Sequence, residues 1–155
     1  MLEWQLLLLV NKYINSTIST MKPIKQEDPF GCAVACVASV LGIGYQEALN
    51  IFRYGNKKAK TTGFYCKEIV KVLENKGLKY EYSYIKSKIK KKIYQDNTIV
   101  FLRRSHRYPE GHFLCRKGNF WMDSWVNFPT KVKKAGFRKR LPEKPIYVIY
   151  PVTSI

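Results

Sequence analysis

The sequence predicts an α+β domain in which helices precede an antiparallel sheet. Apolar positions recur with helical spacing as far as Gly77, whereas alternating and β-branched runs begin at Leu78. With 155 residues, 46% of them hydrophobic, the chain is long enough to bury one core without disulfide or metal support. Because helical and strand patterns occupy separate parts of the chain, we expect the α+β class.

Three helices are predicted ahead of the sheet. Small and apolar residues fill Cys32 to Leu41, and Gly42 follows directly, which is typical of a buried helix with a glycine stop. Amphipathic helices are expected at Gln46 to Phe52 and at Cys66 to Lys76, the second ending at Gly77. These helices supply apolar faces that the sheet can cover.

The second half of the chain carries strand patterns. The predicted strands are 78–85, 98–102, 112–116, 120–125 and 146–150. The basic segment 86–95 is expected to form a short helix between the first two strands. Lys117, Gly118 and Asn119 separate the third and fourth strands by a short polar turn, which indicates a β-hairpin.

Residues 1–20 are predicted to be an N-terminal extension, able to form a small helix, ahead of a domain at 21–155. The apolar run Leu6 to Val10 is too short to span a bilayer. Glu3 stands where a signal peptide would carry positive charge. We therefore predict no transmembrane segment and a cytoplasmic location, with secretion by a route without a signal peptide left open.

The chain is strongly basic. It has 28 Lys and Arg against 11 Asp and Glu, a formal net charge of +17, and its basic residues cluster at 53–60, 86–92 and 131–140. Such a field attracts nucleic acid, acidic proteins and anionic surfaces, and charge alone does not rank these partners. The simpler interpretation is that these clusters are solvated faces and loops of a basic protein.

The four cysteines do not form a metal or disulfide pattern. Cys32, Cys36, Cys66 and Cys115 include no CxxC pair and no short Cys/His spacing of the structural zinc type. We therefore predict free thiols, no metal site and no cofactor.

A reactive thiol is predicted at Cys32, which follows Gly31 and begins the small-residue helix. Unpaired N–H groups and the partial positive charge at a helix N-terminus stabilise a thiolate. Gln26 lies six residues earlier, so its side-chain amide and the Cys32 backbone N–H could form a two-donor oxyanion hole.

The base predicted for this thiol is His112, since it begins a strand at the end of a loop. The only other histidine, His106, lies among arginines. Asp123 is on the partner strand of the same hairpin, where it could accept the second ring N–H of His112. Asn119 and Asn127 are alternatives for that orienting role.

These residues resemble the pattern of the double-glycine leader peptidases that process bacteriocins, and of similar stand-alone bacterial peptidases. In that family a Gln precedes the catalytic Cys by six residues, and a strand-borne His and an Asp follow. The resemblance covers residues 22 to 128. It implies a papain-like fold with Cys32 as nucleophile, His112 as base, Asp123 as orienting acid and Gln26 as oxyanion residue.

The predicted function is therefore that of a cysteine peptidase acting on a peptide or protein substrate through an acyl-enzyme. Deamidation or acyl transfer would use the same residues. The alternative is a catalytically degenerate papain-like module or a toxin-type domain, binding nucleic acid or an acidic protein through its basic surface.

Overall fold

The computed structural model describes residues 3–10 and 22–153, and it has the predicted mixture of helices and antiparallel strands. The helices are α1 (3–10), α2 (Cys32–Leu41), α3 (Tyr45–Ile51), α4 (Gly55–Thr61) and α5 (Cys66–Asn75), with a 3-10 helix at Lys90–Tyr94. The α+β class predicted from the sequence is confirmed. Helices α2 to α5 all precede the first strand.

One six-stranded antiparallel sheet follows the helices. Its strands are β1 (Tyr80–Tyr84), β2 (Ile99–Leu102), β3 (His112–Lys117), β4 (Phe120–Asp123), β5 (Gly136–Arg138) and β6 (Pro145–Pro151). The spatial order is β1-β6-β2-β3-β4-β5. β3 and β4 form the predicted hairpin, with Lys117 opposite Phe120 across the turn.

Helix α2 is the buried helix of the fold. Residues 33–38 are at most 1% exposed. The small alanine side chains among them allow the helix to approach the sheet, where it packs in one core with Phe113, Cys115 and Met122. The helix ends at Gly42, whose left-handed backbone (φ 67°) directs its N–H to the Ala38 carbonyl.

A second, smaller core contains Tyr108, Leu114 and Trp121 together with Val148 of β6. The 3-10 helix contributes Ile93 to this core. The sheet is therefore packed on two sides, and the ends of β3 and β4 are fixed by both cores.

Two elements were not predicted. Helix α4 carries lysines at 57, 58 and 60, and only Gly55 and Ala59 are buried, so its sequence has no amphipathic period. Strand β5 lies in the basic stretch 131–140 and pairs with β4, with Gly136 opposite Asp123. The predicted strand at 120–125 ends earlier, at Asp123.

The N-terminal part of the chain is described only at 3–10, where α1 exposes Trp4 and the apolar run Leu6 to Val10. The rest of the predicted extension, together with Met21, lies outside the described residues. Among residues 3–10 and 22–153 no single helix is long and apolar enough to cross a bilayer; only the bent pair of α2 and α3 meets the length and composition criteria, and only when taken together.

Candidate active site

Cys32 begins helix α2 at the end of a tight turn. The Gly31 N–H donates to the Asp28 carbonyl at 3.2 Å, and the Phe30 N–H donates to the Ala59 carbonyl at 2.8 Å, which anchors the turn to α4. Cys32 is partly exposed, whereas the six residues that follow it are buried. Within residues 22–153 no group accepts a hydrogen bond from the Cys32 N–H, so this donor is available beside the thiol.

Gly31 is required at this turn because Tyr45 occupies the space beside it. A Cβ atom on residue 31 would lie 2.0 Å from the Tyr45 hydroxyl oxygen. That hydroxyl donates to Oδ2 of Asp28 at 2.8 Å. Burial, together with this bond to Asp28, raises the pKa of Tyr45 well above its ordinary value, and negative charge at Cys32 acts in the same direction. Tyr45 therefore fixes the chain that leads into Cys32.

His112 enters strand β3 through a glycine. Gly111 has a φ of +73°, and a Cβ atom there would lie 2.1 Å from Cζ of Phe101 on the neighbouring strand. Only glycine combines this backbone conformation with so close an approach. The approach brings His112 to the first position of β3, where it is 4% exposed.

The hairpin brings Asp123 to His112. Cys115 pairs with Met122, so the residue after Met122 comes to the His112 end of the hairpin. Nε2 of His112 lies 2.7 Å from Oδ1 of Asp123, whose side chain is 0% exposed. Because an ionised carboxylate only accepts, the imidazole donates from Nε2, and Nδ1 is the ring nitrogen left for another partner.

Cys32 is the other ionisable group that acts on this imidazole. Burial lowers the pKa of His112, but the hydrogen bond to Asp123, the interaction with Cys32 and the negative charge of both outweigh it and raise the pKa to about 9. A group that is protonated at neutral pH between a thiol and a carboxylate is positioned for proton transfer to and from the thiol side. The three predicted residues Cys32, His112 and Asp123 are thus brought together.

Arg138 holds the second oxygen of Asp123. Its Nε donates to Oδ2 at 2.7 Å, and its Nη2 donates to the Val126 carbonyl at 2.9 Å. Burial raises the pKa of Asp123, but the bonds to His112, Arg138 and the Trp125 N–H outweigh it and lower the pKa to about 2. Sequence reasoning missed Arg138, since nothing distinguishes it from the neighbouring basic residues before strand β5 is known.

Tyr108 packs flat against His112. The two ring centroids are 5.1 Å apart with an interplanar angle of 4°. Tyr108 is 1% exposed, and its hydroxyl has no hydrogen-bond partner among the described residues. The ring therefore restricts rotation of the imidazole while it excludes water from one of its faces. This residue was also missed, because only the fold brings it over His112.

Gln26 is buried between the turn and the hairpin, with 1% of its surface exposed. Ser124 donates to its Oε1 at 2.7 Å, and the Gln26 backbone N–H donates to the Ser124 carbonyl at 3.2 Å. Its Nε2 donates to the carbonyls of Asp28 at 3.0 Å and Pro29 at 3.1 Å. Gln26 thus joins the residue after Asp123 to the turn before Cys32. An oxyanion role requires Nε2 of Gln26 to give up one of its hydrogen bonds to these two carbonyls.

The alternative residues lie elsewhere. Asn119 is exposed in the hairpin turn and His106 is exposed in a loop. Asn127 donates from Nδ2 to the Val132 carbonyl and accepts from the Lys134 N–H, both at 2.9 Å, so it organises the loop that follows. Within residues 22–153 the side chain that accepts from His112 is that of Asp123.

The other three cysteines have environments that oppose ionisation. Burial raises the pKa of Cys36 well above the ordinary thiol value, that of Cys66 to about 11 and that of Cys115 to about 12. All four cysteines are free thiols. Across residues 3–10 and 22–153 no group of three or more His, Cys, Asp or Glu side chains is arranged to hold a metal ion.

Comparison with known proteins adds no assignment. No protein-family model matches this chain, and a search of curated proteins finds no match.

Proposed function

We propose that this chain is a papain-like cysteine peptidase with Cys32 as nucleophile, His112 as general base and acid, and Asp123 as the orienting carboxylate. The observation that carries the proposal is the buried His112 imidazole, which bonds Asp123 at 2.7 Å through Nε2 and whose pKa is raised by both Asp123 and Cys32. A thiol, an imidazole and a carboxylate in that order are the parts that nucleophilic acyl transfer needs.

In the first half-reaction, the thiol proton of Cys32 resides on Nδ1 of His112 and the thiolate sulfur attacks the carbonyl carbon of the scissile peptide bond. A C–S bond forms as the carbonyl oxygen takes the negative charge. When the C–N bond breaks, Nδ1–H gives its proton to the departing amine. A thioester on Cys32 and a neutral imidazole remain.

The oxyanion is assigned to two donors. The Cys32 N–H has no acceptor within residues 22–153. The second is Nε2 of Gln26, which must exchange its bond to the Asp28 or Pro29 carbonyl for one to the oxyanion. A charged oxygen is a stronger acceptor than a neutral carbonyl, so this exchange is favourable when the tetrahedral intermediate forms.

In the second half-reaction, neutral His112 accepts a proton from water at Nδ1 as the water oxygen attacks the thioester carbon. The C–S bond breaks, the carboxylic acid product leaves, and the Cys32 sulfur is returned as a thiolate beside the imidazolium. Asp123 keeps Nε2–H of His112 hydrogen-bonded through both steps and stabilises the cation.

The papain-like fold and the kinship with double-glycine leader peptidases belong to the same proposal. They are supported by a buried helix whose first residue is Cys32 and whose body packs on the strand that begins with His112. A cytoplasmic location is also proposed, since the nucleophile must stay reduced to act.

The test is incubation of the protein with a mixed peptide library, followed by mass spectrometry of the products. New peptide termini that vanish with Cys32→Ser are expected. Conversion of Gln to Glu without chain cleavage would assign deamidation to the same residues, and the absence of any product that depends on Cys32 would contradict the proposal.

A further inference from the structure

A small cleft lies on the Gln26 side of the candidate active site. It runs between the segment at 25–27 and the loop at 131–133 and has a volume of about 260 Å³. The lining residues are Lys25, Gln26, Glu27, Lys131, Val132 and Lys133. This volume lies just below the range of about 300–1,000 Å³ typical of ligand pockets, so it fits one or two side chains of a larger ligand.

The cleft adjoins the residues proposed for catalysis. Gln26 lines it and is bonded through its backbone N–H to Ser124, the residue after Asp123. The Gln26 side chain meanwhile reaches the turn that leads into Cys32. Gln26 is therefore shared by the cleft and by the proposed oxyanion site, which links the cleft to the position of a peptide carbonyl at Cys32.

The loop that forms one wall is held in a defined shape. Asn127 bonds the Val132 carbonyl and the Lys134 N–H at 2.9 Å each, and the Val126 N–H donates to the Lys134 carbonyl at 2.7 Å. At its tip Val132 is 81% exposed, so most of its apolar surface is left for contact with a ligand. A fixed loop with an apolar tip is preorganised for contact with a ligand.

The wall is cationic. Lys25, Lys131 and Lys133 all line the cleft, and the Lys133 ammonium is placed 4.8 Å from the Trp125 ring centroid. The single acidic residue of the lining is Glu27, whose carboxylate accepts from Nε2 of Gln46 at 2.8 Å and is partly satisfied there. A ligand with carboxylate groups would therefore match the positive charge of this lining.

We propose that the cleft binds an acidic segment of the peptide that Cys32 cleaves, with carboxylates at Lys131 and Lys133 and an apolar side chain against Val132. This inference rests on the proposed function and names its substrate class. A protein ligand is favoured over nucleic acid because none of the six lining residues is aromatic, whereas single-stranded nucleic acid is held by stacking.

The test measures binding without turnover. A short fluorescent peptide with a run of glutamates, and its counterpart with glutamines at the same positions, are titrated by anisotropy into the Cys32→Ala protein at physiological salt. Lys131→Glu/Lys133→Glu in that background is expected to weaken binding of the glutamate peptide by about tenfold or more, since two attractive contacts become repulsive.

The matched control is Lys86→Glu/Lys88→Glu, which makes the same change of net charge. These exposed lysines follow β1, at the opposite edge of the sheet from β5. A weakening below about twofold in this control supports a local contact. Equal weakening in both double variants would overturn the proposal, because the whole field of the protein would then be responsible.

Two further outcomes would also contradict the proposal that the cleft binds an acidic peptide segment. One is equal affinity for the glutamate and glutamine peptides, and the other is a single-stranded oligonucleotide that binds more tightly than the peptide through the same lysines. The binding experiment uses Cys32→Ala and therefore does not depend on catalysis. Loss of binding selectivity in it contradicts the cleft proposal and leaves the peptidase proposal unaffected. An unreactive Cys32 in the native protein speaks against the peptidase proposal.

Discussion

Arg138 donates from Nε to Oδ2 of Asp123 at 2.7 Å, while His112 occupies the other oxygen of the same carboxylate. Asp123 is thus a buried anion between two cationic side chains, one on strand β3 and one on strand β5. The arrangement extends the proposed Cys32–His112–Asp123 series by a fourth residue. It also gives a structural role to part of the basic stretch 131–140.

Removal of Arg138 is expected to destabilise the fold. Arg138→Gln leaves the buried Asp123 carboxylate with one charged partner, and the free energy of unfolding should fall by about 3 kcal/mol. Urea unfolding of the native protein and the variant measures this loss of stability. Arg140→Gln is the control, because Arg140 is exposed, and it should change stability by less than about 0.5 kcal/mol. Similar losses in both variants would show that Arg138 does not support Asp123.

Tyr108 is expected to act through its ring and not through its hydroxyl. Tyr108→Phe keeps the stack on His112 and removes a buried hydroxyl that has no partner within residues 22–153. This substitution should therefore lower the free energy of unfolding by less than about 1 kcal/mol. Tyr108→Leu removes the stack and should cost about 2 kcal/mol.

The same pair of variants tests positioning. If the ring orients the imidazole, alkylation of Cys32 slows in Tyr108→Leu and is unchanged in Tyr108→Phe. Equal rates in the two variants, with the expected difference in stability, would mean that Tyr108 only fills space.

Stability should decrease at alkaline pH because of His112. Its pKa is raised to about 9 from an ordinary 6.5, so the native state binds this proton more tightly than the unfolded chain does. The stabilisation is complete below about pH 6.5 and is lost as the pH rises through 9, to a total of about 3 kcal/mol.

Urea unfolding between pH 6 and pH 10 checks this expectation. His112→Gln should flatten the decrease, whereas His106→Gln should preserve it because His106 is exposed. A decrease that is the same in native protein and in His112→Gln would contradict the assignment.

The contact between Gly31 and Tyr45 predicts a non-additive pair of substitutions. Gly31→Ala forces a Cβ against the Tyr45 hydroxyl and should cost about 1–3 kcal/mol. Tyr45→Phe removes that oxygen together with its bond to Asp28, at a cost of about 1 kcal/mol. The double variant should therefore lose less stability than the sum of the two single losses, as measured by thermal unfolding.

Gly44→Ala is the control for this prediction. A Cβ at Gly44 meets no atom within 4 Å, and the backbone there is extended. A cost for Gly44→Ala equal to that for Gly31→Ala, or strict additivity in the double variant, would show that the Tyr45 contact is not the cause.

Local patterns were sufficient for much of the fold. The bounds predicted for the Cys32 to Leu41 helix agree with α2, because its small apolar residues and the following Gly42 encode both its burial and its end. The turn at Gly118 and Asn119 likewise specified the hairpin that carries His112 and Asp123. These signals lie within one element or between adjacent ones.

What could not be predicted depends on contacts between distant parts of the chain. Strand β5 is three residues long and is defined by its pairing with β4, so Arg138 had no local signal. Tyr108 is an exception, since it lies only four residues before His112, but no sequence pattern indicates that the turn closed by the Gly111 N–H and the Tyr108 carbonyl stacks its ring on the imidazole. Gln26 was selected by its spacing from Cys32, but its bonds to Ser124, Asp28 and Pro29 require the folded chain.

The most direct test of the account is the rate at which a limiting thiol-alkylating reagent modifies each cysteine between pH 4 and pH 9, with the modified residue located by mass spectrometry. We predict selective modification of Cys32 near pH 6, where an unperturbed thiol with a pKa of about 8.5 is almost fully protonated, and loss of that selectivity in His112→Ala. The buried or half-buried Cys36, Cys66 and Cys115 serve as internal references, since burial raises the pKa of each. Modification of Cys32 no faster than that of Cys66, with no dependence on His112, would contradict the proposed catalytic role.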